Sequence, residues 1–98
     1  DTMFTVVSQS EEKVTLLCSM EILDQVIDRF GDGIELKQAK GEKFRVTVPV
    51  SLSTTFYAWV FQFVGKMRLL RPEGARMDYI GYLKQAMDEE SDENCWGV

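Results

Sequence analysis

Hydrophobic residues recur with two different periods along this chain, and the densest apolar run lies between Ser53 and Pro72, STTFYAWVFQFVGKMRLLRP. Ser53 suits a helix N-cap, and Gly65 suits the residue that ends the helix. Leu52 and Tyr57 have the spacing of a hydrophobic staple around that cap. Phe56, Trp59, Val60, Phe63 and Val64 fall on one helical stripe. Burying each large apolar side chain stabilises by about 1.5–3 kcal/mol, so this stripe can anchor a core. The back of the same helix, Tyr57, Ala58, Phe61 and Gln62, carries no charge. A helix that is apolar nearly all round is covered on both sides. The second cover is expected from another domain or subunit, or from a third helix of this chain folding over it. After Gly65 the pattern becomes that of a strand, Lys66–Leu70, and Pro72 opens another helix.

Upstream, Lys13–Cys18 alternates weakly and is rich in β-formers, which predicts a first strand. Ser19 can cap the helix Met20–Phe30, whose stripe is Leu23, Val26, Ile27 and Phe30. Asp24, Gln25, Asp28 and Arg29 form its solvated side, and Gly31-Asp32-Gly33 is a turn. Ile34–Lys40 and Lys43–Val50 read as a hairpin turning near Gly41. In the second of these, Phe44, Val46, Val48 and Val50 point one way and Arg45, Thr47 and Pro49 the other. A third helix is expected from Pro72 to about Met87, weakened by Gly74 and Gly81. The order strand, helix, strand, strand, helix, strand is the split βαβ arrangement. The fold class is therefore α+β: a ferredoxin-like βαββαβ sandwich, with a four-stranded antiparallel sheet, two helices on one face and a C-terminal helix. By domain, residues 1–10 are expected to be a linker or the end of a preceding domain, with a short apolar patch at Met3–Val7. Residues 11–87 form the globular unit, and 88–98 an acidic tail without order.

Composition narrows the function. The 98 residues and 45% apolar content suit one domain with a real core. No apolar run approaches the roughly 20 residues that span a bilayer, so no membrane partner is expected. Asp1 in place of Met is expected to mark a piece of a longer chain. The chain has no histidine and two cysteines far apart, Cys18 and Cys95, which disfavours a zinc site. Cys18 lies in an apolar strand pattern and Cys95 in a polar tail, as expected of thiols in a reducing cytoplasm. Without histidine the usual general base is missing, and the i, i+4 carboxylates Asp24 and Asp28 read as a solvated helix face. No catalytic residue, metal or cofactor is expected, and an enzyme reading has no group to rest on. The net charge of −5 argues against non-specific nucleic-acid binding.

Two surfaces remain as candidates. Alternation turns Lys13, Thr15, Leu17, Glu35, Lys37, Arg45, Thr47, Lys66, Arg68 and Leu70 toward the face of the sheet that the helices leave open. That surface is locally basic on an acidic chain. Lys37, Arg45 and Arg68 are its candidate ligand-binding residues, for an anionic effector such as a nucleotide or phosphate. The plainer reading is a solvated face or a dock for an acidic partner. The outward positions of the central strands carry no aromatic for base stacking, which disfavours an RNA-recognition role. The second surface is the back of the second helix, where Tyr57 and Phe61 are candidate interface anchors.

VIDRFG at Val26–Gly31, FRVTVPV at Phe44–Val50 and FYAWVFQFVGKMRLLRPE at Phe56–Glu73 resemble the C-terminal extension, or WCX domain, of bacterial WYL-domain transcriptional regulators. The resemblance runs from about Phe4 to Met87. It implies a ferredoxin-like fold and a non-catalytic, cytoplasmic regulatory role in dimerisation, packed against or near a ligand-sensing WYL domain. The implied partners are the protein's own WYL domain or a second subunit, as a homodimer. DNA would be reached only through an N-terminal helix-turn-helix that these 98 residues do not contain. The chain also lacks the Trp-Tyr-Leu sequence that names the WYL domain, and no family site transfers onto named residues. The alternative function is a small-ligand or nucleotide-sensing domain that uses the basic open face of the sheet.

Overall fold

A computed structural model describes residues 11–31 and 33–92. The expectations for Asp1–Ser10 and Cys95 lie outside these residues. Strand β1 spans Glu12–Ser19, followed by a 3-10 turn at Met20–Ile22 and helix α1, Leu23–Phe30. Strands β2 (Glu35–Ala39) and β3 (Lys43–Val50), helix α2 (Thr54–Phe61), strand β4 (Met67–Arg71) and helix α3 (Glu73–Ser91) complete the chain. The strands form one antiparallel sheet in the order β2-β3-β1-β4. Each helical crossover therefore skips a strand, β1 to β2 across β3 and β3 to β4 across β1, which is the ferredoxin-like arrangement.

Strand alternation builds the core. Val14, Leu16 and Cys18 of β1, Phe44, Val46, Val48 and Val50 of β3, and Met67 and Leu69 of β4 are buried on one face. Ile22, Val26, Phe56 and Val60 come down on them from the helical layer. The edge strand β2 is exposed along nearly its whole length, and its hairpin to β3 turns at Gly41, whose φ of 72° favours glycine. Both serine caps form. The Glu21 N–H donates to Ser19 Oγ at 3.1 Å, and the Phe56 N–H donates to Ser53 Oγ at 3.2 Å.

Two helix ends differ from the sequence reading. Helix α2 stops at Phe61 rather than running to Gly65. The next N–H groups bond three residues back, Phe63 to Val60 and Val64 to Phe61, and this tightening breaks the 3.6-residue period. Val64 consequently leaves the buried stripe and is 67% exposed. Helix α3 runs past Met87 to Ser91, carrying Asp88, Glu89 and Glu90 on its last turns. A bond from Gln85 Nε2 to Glu89 Oε2 at 3.0 Å braces that end across one helical turn.

Candidate functional site

The back of α2 is covered in part. Tyr57 is buried, 6% exposed, its ring stacked on Tyr79 with centroids 5.8 Å apart and tilted against Tyr82 at 5.6 Å. The third helix is therefore the cover over Tyr57, which is not available as an anchor for a partner. Its hydroxyl has no hydrogen-bond partner among the described residues. Phe61, one turn on, remains 49% exposed. Between α2 and α3 lies an apolar groove of about 290 Å³, lined by Tyr57, Ala58, Phe61, Tyr82, Leu83 and their neighbours. From Gly81 to Ser91 the residues of α3 are exposed except Glu89, which is half-buried. Tyr82, Leu83 and Met87 thus join Phe61 and Val64 as large apolar groups open to solvent. The signal for this surface was in the sequence, in the uncharged back of α2, and the third helix was one of the expected covers, but Tyr79 and Tyr82 were not identified as the residues that provide it.

The flank of α2 toward α1 is aromatic, with Phe30, Trp59 and Phe63 half-buried. Trp59 meets Phe30 edge-on at 5.3 Å and Phe63 at 5.2 Å. The Arg29 guanidinium lies 5.5 Å from the Phe30 ring centroid and 5.6 Å from that of Trp59, a cation–π seal over the rim of the core.

On the open face the strand register gathers the three nominated cations. Lys37 pairs with Arg45, Arg45 with Leu17, and Leu17 with Arg68, so they share one row across the sheet. Strands lie about 4.8 Å apart, which places Arg45 and Arg68 roughly 10 Å from each other, with Leu17 between. In the next row Glu35, Thr47, Thr15 and Arg71 stand side by side, and the Thr15 and Thr47 hydroxyls are 3.2 Å apart in a mutual hydrogen bond. Arg71 was missed by alternation counting, because a register shift on β4 brings it to this face.

The family model of the WCX domain matches residues 10–87, most of the chain and the whole sheet. The chain belongs to the WCX domain family. The WCX domain is a WYL-associated regulatory domain. No curated protein and no solved structure is significantly similar to the chain.

Within this WCX domain, Cys18 is buried, and burial pushes its thiol up to about 12, so the reactive thiolate is suppressed. Burial also raises the Tyr57 phenol, with smaller contributions from Asp78, Tyr82 and Glu12. Among the described residues no three histidine, cysteine or carboxylate groups converge as a metal site. No helix among them is long and apolar enough to cross a membrane.

Proposed function

We propose that this WCX domain is a non-catalytic contact module, and that it helps a WYL-family regulator assemble through the exposed surface between α2 and α3. The observation that carries this reading is the open groove, with Phe61 on one wall and Tyr82 and Leu83 on the other. An uncharged α2 and an α3 exposed along its second half leave apolar side chains that a second subunit would cover. Contiguous patches of this kind mark contacts, and aromatics dominate their energetics. The homodimer is the first assembly proposed, with the adjoining WYL domain as the other cover.

Phe61→Glu tests it. The variant places a charge at the mouth of the groove without touching the buried core. Light scattering after size exclusion should show the parent dimer replaced by monomer. Far-UV circular dichroism and the melting temperature of the variant should match those of a wild-type monomer. An oligomer unchanged by Phe61→Glu and by Leu83→Glu would contradict the assignment.

A further inference from the structure

The bulge between β1 and β4 builds a site that strand alternation conceals. Leu16 faces Leu69, but Thr15 faces Arg71, so Leu70 is the extra residue on β4. Strict alternation from Leu69 would turn Arg71 toward the helices. The bulge sets it instead beside Thr15, on the open face. Thr15, Arg45, Leu70, Arg71 and Glu73 line a cavity of about 370 Å³ there. That size lies within the range of roughly 300–1,000 Å³ common to small-molecule sites.

The chemistry of the lining selects a ligand. Among the described residues neither Arg45 nor Arg71 is ion-paired; the pairs present are Lys66–Glu21 and Arg76–Glu73. Only one hydroxyl hydrogen is used in the Thr15–Thr47 bond, so the other can be donated to a ligand. A carboxylate is satisfied by one guanidinium fork, whereas the three terminal oxygens of a phosphate can engage two forks and a hydroxyl together. Helix α3 begins at the same wall, where Pro72 provides no side-chain cap, so its positive end adds to the field. Among the described residues Glu73 is held only by Arg76, at 3.9 Å, and can accept from a donor on the ligand. Glu73 and the net charge of −5 oppose a long polyanion, which favours a small molecule over a nucleic-acid strand.

We propose that this cavity binds a small molecule bearing a phosphomonoester and a hydroxyl, with the phosphate on Arg45 and Arg71 and the hydroxyl on Glu73. The site lies on the opposite side of the sheet from the helical groove, so it does not depend on the contact surface proposed above.

Calorimetric titration of the whole chain with ribose 5-phosphate, inorganic phosphate and ribose tests it. Ribose 5-phosphate should bind more tightly than phosphate, and ribose should not bind. Arg45→Ala and Arg71→Ala should each weaken ribose 5-phosphate by about tenfold or more, the loss of a charge-assisted contact. Lys13→Ala, which removes a cation elsewhere on the same face, should change affinity by less than about twofold, a few tenths of the tenfold step in free energy. Glu73→Gln should erase the preference for the sugar phosphate over phosphate alone. Circular dichroism would establish that each variant is folded. No binding of ribose 5-phosphate at about 10 mM, well beyond a millimolar dissociation constant, would overturn the proposal. So would binding that Arg45→Ala and Arg71→Ala leave intact, or that Lys13→Ala weakens as much as they do.

Discussion

The Tyr57 hydroxyl is buried without a hydrogen-bond partner among the described residues, while its ring packs on Tyr79 and Tyr82. Leaving such a group unsatisfied costs about 1–3 kcal/mol, and its removal in shape-conserving form recovers part of that. Tyr57→Phe is therefore expected to leave stability unchanged or raise it by up to about 1 kcal/mol in urea denaturation. A loss above about 1 kcal/mol would show a bond to the hydroxyl that the structure does not contain. Alkaline stability follows from the same burial. The thiol of Cys18 titrates near 8.5 when unfolded and is pushed up to about 12 in the fold. Its folded-state value is the higher one, so its contribution is complete below about 8.5 and is lost as pH rises toward 12. Across that window the unfolded chain binds fewer protons at this group, and stability should fall by up to about 1.4 kcal/mol per pH unit. Tyr57 and Tyr79, both raised by burial, act in the same direction at higher pH. Urea midpoints measured from pH 7 to 11 check this, with Cys18→Ala expected to flatten the decline above pH 9 despite a lower starting stability. An equal slope in that variant would remove Cys18 from the account.

Among the helices, α3 buries the smallest share of its length. It is 19 residues long, about 28 Å at the usual rise, and Ala75 is its buried residue. Gly81 lies in its middle, and a Cβ there would meet nothing within 4 Å. Gly81→Ala should raise stability by about 0.5–1 kcal/mol, visible as a higher melting temperature. A lower one would mean that a neighbour crowds this position. The strands were legible because β1 and β3 each have one buried face; alternation is clean from Phe44 to Val50 and weaker from Val14 to Cys18, where the apolar Leu17 lies on the open face. The end of α3 was harder to read. Asp88, Glu89 and Glu90 sit at the negative end of the helix dipole and read as a solvated tail, yet glutamate is a good helix former and Gln85 braces Glu89. Helix α2 misled in the opposite sense, since nothing in Phe61–Gly65 marks the change to three-residue hydrogen bonding. Lys37, Arg45 and Arg68 could be assigned to one face by alternation, but their common row required the register. Arg71 could not be found that way at all, because a bulge changes the face without changing the sequence pattern.

At the scale of the molecule the sheet separates two surfaces of opposite chemistry. On the helical side the groove between α2 and α3 is apolar and open. On the other side Lys37, Arg45, Arg68 and Arg71 face solvent from a chain whose net charge is −5. An acidic whole favours solubility, and the cations are concentrated on one face; under the two proposals above, the helices face a protein partner and the strands an anion. Phe61→Glu should accordingly abolish association and leave binding of ribose 5-phosphate unchanged, whereas Arg71→Ala should do the reverse. Loss of both activities in either variant would mean that the two surfaces are coupled. The most direct test of the contact surface is sedimentation equilibrium of the wild-type chain and Phe61→Glu over a wide concentration series. The account predicts a reversible monomer–dimer equilibrium for the wild type and a monomer throughout for the variant. Identical molar masses for the two proteins at every concentration would contradict it.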